Sequence, residues 1–291
     1  MKRTTLALIG LFALLGVVAY LVTLKPGERS VSTEAGEPLF TVDSALVDKV
    51  EIRSTSGPVT LERRGVEWFV AAPIVYKANA ANVASLLDRV KDLRVKGTVS
   101  NRREKHGLFQ VDSAGTHVTV YQGGKEQASF VVGKASASFT DTYVRAAGSD
   151  EVAIVDGSLG WMFNRSVRDW RDKTILSLFK PDVKEIGFRF GDTTFTLSLR
   201  DSAWMIDRSK ANAATVENLL TSLLSLQCDD FLDTEPAVKP GIQITAGGVQ
   251  VLFAFDKGSR KYYVRTSASP QWYILETWRA DQVLKRKKDL V

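Results

Sequence analysis

Cysteine occurs once in this chain, at Cys228, and histidine twice, at His106 and His117. A lone thiol excludes an intramolecular disulfide, so a domain of this size relies on its hydrophobic core even in an oxidising compartment. Two histidines and one cysteine offer no zinc-like spacing. Also missing are a G-x-S-x-G nucleophile elbow, a Ser-His-Asp order and a G-x-G-x-x-G loop. Gly133-Lys134 is not a P-loop, because the upstream glycine is absent and Ala135 stands where Ser or Thr would meet magnesium. These gaps predict a non-enzymatic chain with no catalytic residues, no cofactor and no bound metal. Asp229-Asp230, and Asp169 with Asp172, read as caps near helix ends. His106, in a charged, glycine-flanked loop, and His117, at a strand start, read as surface residues. Cys228 reads as a buried structural thiol.

Apolar residues make up 44% of the 291, which suits a globular protein and is too many for a disordered one. The net charge is +6, but both signs are interspersed along most of the chain. The denser basic patches are Arg102-Arg103-Glu104-Lys105-His106 and Lys285-Arg286-Lys287-Lys288. The latter reads as a solvated tail, and nucleic acid is not an expected partner.

One long apolar run is present. After Lys2 and Arg3, no charge occurs from Leu6 to Leu24, close to the ~20 residues a membrane-spanning helix needs. The flanking charges favour a cytoplasmic N-terminus. The alternative is a cleaved signal peptide, whose apolar core is shorter and precedes a small-x-small site that Tyr20–Pro26 does not offer. The expectation is a single-pass anchor over residues 1–25 in the inner membrane. A Gly/Ser/Glu/Pro-rich linker over 26–45 then leads to a periplasmic or extracellular bulk.

The rest of the chain repeats itself. Lys77-Ala78-Asn79-Ala80-Ala81 returns 133 positions later as Lys210-Ala211-Asn212-Ala213-Ala214. Val83, Leu86, Leu87, Val90 and Leu93 return as Val216, Leu219, Leu220, Leu223 and Leu226, one amphipathic helix written twice. Asn79 and Asn212 are suited to cap these helices. Upstream, Val47, Val50 and Trp68 match Val183, Ile186 and Trp204 at a shift of 136, so the second copy is three residues shorter before its helix. Downstream, Tyr143-Val144-Arg145 and Ile154 match Tyr263-Val264-Arg265 and Ile274 at a shift of 120. Alternating apolar residues and the Gly123-Gly124 and Gly191-Asp192 turns predict antiparallel hairpins. A helix is expected over Ser158–Asp172, and a shorter one around Ala280–Lys287. The fold class is therefore α+β: a transmembrane helix followed by two tandem antiparallel-sheet-plus-helix units, over 46–180 and 181–291.

The densest polar-aromatic segment is Arg168-Asp169-Trp170-Arg171-Asp172-Lys173. Arg168, Trp170 and Arg171 are the candidate partner-binding residues, since Trp and Arg favour interface hot spots. The alternative is a helix end whose Trp packs in the core and whose charges are solvated or join the two units. Trp68 and Trp204 read as core anchors.

In order, these features resemble a bacterial family catalogued as domain of unknown function 4340. They are the apolar anchor, Trp68, Asn79-Ala80, Leu86-Leu87, Gly107-Leu108, Tyr143-Val144-Arg145 and Arg171-Asp172-Lys173. The resemblance covers most of the chain after the linker. Family members often carry Asp where this chain has Asn79 and Asn212, which fits a cap rather than a required charge. The resemblance also implies a protein partner, because members are often encoded beside ABC-type transporter components of the gliding-motility or multidrug type. It brings no catalytic residue. The readings left open are a transporter accessory or scaffold subunit, a cell-wall or polysaccharide binder, and an enzyme of unrecognised type.

Overall fold

The computed structural model describes residues 36–291. The expected anchor, and the linker up to residue 35, lie outside the described residues. Among the described residues no helix is long and apolar enough to cross a membrane.

The chain is sheet-rich, with antiparallel strands throughout and a few helices. The first sheet holds β1 (Val47–Ser54), β2 (Gly57–Arg64), β3 (Glu67–Ala72), β4 (Tyr76–Lys77), β5 (Val95–Ser100), β6 (Thr116–Gln122), β7 (Lys125–Ala135), β8 (Asp141–Ala146) and β9 (Val152–Asp156). Their spatial order is β4-β3-β2-β1-β6-β7-β8-β9-β5. A connecting strand, β10 (Thr174–Ser177), leads to β11 (Glu185–Phe190), β12 (Thr193–Arg200), β13 (Ala203–Ile206) and β14 (Ser209–Lys210). Next come β15 (Ser225–Gln227), β16 (Asp230–Leu232), β17 (Ile242–Ala246), β18 (Val249–Asp256), β19 (Lys261–Thr266) and β20 (Ser269–Glu276). The second sheet runs β14-β13-β12-β11-β17-β18-β19-β20-β16, the same path as the first.

The registers agree as well as the order. Val50 faces Leu61 and Ile52 faces Val59; 136 positions on, Ile186 faces Leu197 and Phe188 faces Phe195. Tyr143 faces Ile154, and Tyr263 faces Ile274. Side chains alternate across a strand, so a one-residue slip would turn each buried set to water. Burial of Val50, Ile52, Ile186 and Phe188 holds the register. The tight turns at Gly123-Gly124 and Gly247-Gly248 have both residues at positive φ, which glycine adopts without strain.

Helix α1 (Ala80–Lys91) lies across the first sheet, burying Val83, Leu86, Leu87 and Val90. Its cap is Asn79, whose side-chain oxygen accepts from the Asn82 N–H at 3.0 Å. Short helices follow: α2 (His106–Phe109), α3 (Gly160–Phe163) and α4 (Val167–Trp170). In the second half, α5 (Ala213–Leu223) buries Val216, Leu219, Leu220 and Leu223. Its cap, Asn212, accepts from the Thr215 N–H at 3.0 Å. Helix α6 (Thr277–Val283) follows β20. The backbone N–H of each cap also closes its own half. Asn79 donates to the Trp170 carbonyl at 2.7 Å, and Asn212 to the Leu290 carbonyl at 2.8 Å.

Three expectations need correction. The helix over Ser158–Asp172 is two single turns, α3 and α4. Between them, the Asn164 side chain and carbonyl bind Thr55 and Ser56 in the β1–β2 turn, which draws them out of the helical ladder. The last helix ends at Val283, and the basic terminus is no free tail. Arg286 stacks on Phe190 at 3.9 Å, Lys287 pairs with Asp207 at 2.5 Å, and Leu290 is buried. Finally, the end of the expected linker packs against the first sheet. Leu39 donates to the Leu93 carbonyl at 2.7 Å and Val42 enters the core. Strand β10 does the same for the second half, where Leu176 faces Leu226.

Candidate functional site

The two sheets meet where Arg171 leaves α4. The Arg171 backbone bridges to Ala78, and Asp172 N–H donates to the Lys77 carbonyl at 2.8 Å, which extends the edge beyond β4. The Arg171 side chain, 3% exposed, passes into the second half. Its guanidinium lies between the Tyr76 ring, 4.3 Å away, and the Phe231 ring, 3.8 Å away. It donates to the Asp233 carboxylate at 3.0 and 3.3 Å and to Gln271 Oε1 at 2.9 Å. Gln271 is oriented for this because its amide N–H₂ donates to the Leu232 carbonyl at 2.9 Å. A planar, weakly hydrated cation suits such a slot better than an ammonium.

Tyr76 completes the junction. Its ring meets Phe231 edge-on at 5.3 Å, and its hydroxyl is 3.0 Å from that of Tyr273. Burial, reinforced by this hydrogen bond, raises its pKa well above the ordinary tyrosine value. Nearby, burial pushes the Cys228 thiol up to about 12. These groups keep their protons at neutral pH, and an arginine is always charged. The arrangement therefore acts as a mechanical clamp and is poorly suited to moving protons.

Of the three residues singled out from the sequence, Trp170 is 0% exposed and sits in the first core, and Arg171 is enclosed in the clamp. Arg168 is exposed and pairs with Asp230 across the junction at 2.6 Å. All three lie at one place, and their visible contacts are within the chain. Asp229 holds Arg279 and caps the start of α6 through the Glu276 N–H. Asp169 accepts from Ser166, and Asp172 from the Thr174 N–H. Among the described residues no group of three His, Cys, Asp or Glu side chains is placed to hold a metal. His117 donates from Nε2 to the Asp112 carbonyl at 3.1 Å. His106 is not at the surface as expected. It is 7% exposed, with Nε2 3.0 Å from the Asp150 carbonyl, because α2 folds down onto the outer face of the first sheet.

The clamp residues Tyr76, Phe231, Asp233, Gln271 and Tyr273 carry no local sequence signature. A faint signal is the length difference between the copies. Val70 pairs with Tyr76, whereas Ile206 pairs with Ser209, three residues sooner. The longer loop of the first copy brings Ile74 and Tyr76 against the second half.

No curated protein and no solved structure matches the chain. A family model described as "Domain of unknown function (DUF4340)" matches residues 68–244. That span begins at Trp68, takes in Tyr76, Arg171, Phe231 and Asp233 of the clamp and covers more than half of the sequence, so the chain belongs to the DUF4340 domain family.

Proposed function

We propose that this protein is a single-pass, membrane-anchored envelope protein that works by binding, as an accessory or scaffold subunit of an ABC-type transporter complex. In this reading the run Leu6–Leu24 is the anchor, the N-terminus is cytoplasmic, and the two sheets are tandem copies held outside the membrane. The observation that carries it is the clamp. Arg171 and Tyr76 join two sheets of identical strand order. A stiff, doubled body on a tether suits presentation of surfaces to a partner.

The test is crosslinking of the full-length protein in its native membrane, followed by mass spectrometry. Recovery of a transporter permease or auxiliary subunit is expected; recovery of the protein alone under mild crosslinking overturns the reading. A second reading, cell-wall or polysaccharide binding, is favoured by two exposed tryptophans. Trp161 (61% exposed) lies under Arg165 and Trp278 (57% exposed) under Arg279. Retention on purified cell wall at low salt supports it, and its absence removes it.

A further inference from the structure

Of the two basic patches in the sequence, the C-terminal one is folded in, while Arg102-Arg103-Glu104-Lys105 stays at the surface. All four side chains are exposed, and among the described residues they make no ion pair or hydrogen bond. The loop that carries them is held from behind. His106 is buried, with Nε2 3.0 Å from the Asp150 carbonyl. Phe109 packs on Tyr143 at 4.7 Å, and Val111 is buried with Val131 and Val152. Arg145 donates from Nε to the Val111 carbonyl at 2.8 Å. These inward contacts leave the three cations and Leu108, which is 60% exposed, on the outside. Val99, 41% exposed, precedes them on β5.

The patch lies on the edge along which the N-terminal segment enters. Strand β5 ends the first sheet, and Pro38 bridges Arg94 beside it in the antiparallel sense. Val95 N–H donates to the Glu37 carbonyl at 2.9 Å, and Arg94 Nη1 to the Gly36 carbonyl at 3.3 Å. A Cβ on Gly36 would collide with the Val95 carbonyl oxygen, so glycine permits this close approach. Because the pairing is antiparallel, the chain traced back from Leu39 to Gly36 points toward the Ser100 end of β5, where Arg102 follows. Eleven residues, 25–35, separate Gly36 from Leu24, a reach of at most about 40 Å. The second half, which does not follow the apolar run directly, lacks the patch. Leu93 and Val118 are 25 positions apart, but their equivalents Leu226 and Ile244 only 18. The shorter connection between β16 and β17 forms no helix and carries Asp233, Glu235 and Lys239 in place of the cluster.

We propose that the loop 101–108 rests on the anionic lipid headgroups of the bilayer that holds the anchor, with the β5 edge turned toward the membrane. Three cations against one carboxylate attract anionic headgroups within about one Debye length, ~10 Å. Leu108 and Val99 gain by entering the boundary between headgroups and acyl chains. Such a patch is too weak to hold a protein to a membrane alone. Beside an anchor that keeps it close, it becomes effective. The inference rests on the anchor part of the reading above and adds an orientation of the body to it; it does not depend on the transporter partner.

The full-length protein carrying Asn101→Cys, an exposed position at the start of the loop, is labelled with bimane; the buried Cys228 is left unlabelled. It is reconstituted into vesicles of phosphatidylcholine alone, or of phosphatidylcholine and phosphatidylglycerol in equal parts. Quenching by a lipid with a nitroxide on its headgroup reads the contact, and resistance to alkaline carbonate reads the anchor. Quenching is expected to be at least about twofold stronger with the anionic lipid. It should fall to the neutral-vesicle level in ~0.5 M salt, or when Arg102→Glu and Arg103→Glu are combined. The salt arm needs no further substitution, so it decides even if the charge reversal misfolds. Carbonate resistance with quenching equal in both vesicles, or indifferent to salt and to the reversal, overturns the lipid contact and leaves the anchor standing. Carbonate release with quenching that still depends on the anionic lipid removes the anchor and keeps the contact. Release without that dependence removes both.

Discussion

The hydroxyls of Tyr76 and Tyr273 lie 3.0 Å apart although 197 positions separate them and each belongs to a different sheet. Beside them Arg171 is held by two rings, a carboxylate and an amide. The junction is thus a compact polar clamp set among aromatic side chains. Its strength should decide whether the two halves unfold together.

Arg171→Ala is expected to lose about 3 kcal/mol, combining charged hydrogen bonds with cation–π contact. Chemical denaturation checks this, and a single transition should split into two as the halves uncouple. Arg171→Lys should recover little, because an ammonium cannot reach Asp233 and Gln271 as a planar fork. A loss below about 1 kcal/mol with one intact transition would show that the clamp does not couple the halves.

Tyr76→Phe should cost about 1 kcal/mol, by leaving the Tyr273 hydroxyl buried without its partner. Adding Tyr273→Phe removes the second polar group too, so the double variant should be no less stable than either single one. A double-mutant cycle reads this coupling directly. Strictly additive losses would mean that the two hydroxyls do not interact.

Asn79→Ala and Asn212→Ala should each cost about 1 kcal/mol through loss of the helix cap. Asp at either position should be tolerated, since a carboxylate accepts the same N–H and favours the positive end of the helix. Thermal unfolding of the four variants makes the comparison. Equal loss with Ala and Asp would point to a role for the amide N–H₂ instead of the oxygen.

Burial raises the Cys228 thiol to about 12 from an ordinary 9.0, and raises Tyr76 as well. The folded state thus binds these protons more tightly than the unfolded chain. Their contribution is complete below the unfolded values and is lost as pH climbs through the folded ones. Stability should fall between about pH 9 and 12, and Cys228→Ala should flatten that limb. Maleimide should leave the native thiol unmodified at pH 7 and label it on unfolding. Rapid native labelling would contradict the burial.

Much of each half was legible in the sequence because its signals are local. Alternation set Val50 and Ile52 to the core side, the Asn79 and Asn212 caps began the helices, and the shifts of 136, 133 and 120 aligned the strands that the registers confirm. Where long-range contact competes with a local pattern, the reading failed. The helix over Ser158–Asp172 breaks because Asn164 binds a turn more than a hundred positions away. His106 is buried because its loop has a sheet to fold onto, which its charged neighbours conceal.

The sequence by itself determined the repeat, the helix caps and the antiparallel hairpins, since these follow from backbone hydrogen bonding and side-chain period over a few residues. Only the tertiary structure decided what the Arg168–Lys173 segment does. Trp170 closes one core, while Arg171 finds Phe231, Asp233 and Gln271 in the other half. No periodicity encodes that meeting. It arises when a loop three residues longer brings Tyr76 across, and when burial makes each unmatched polar group costly enough to select a single docking.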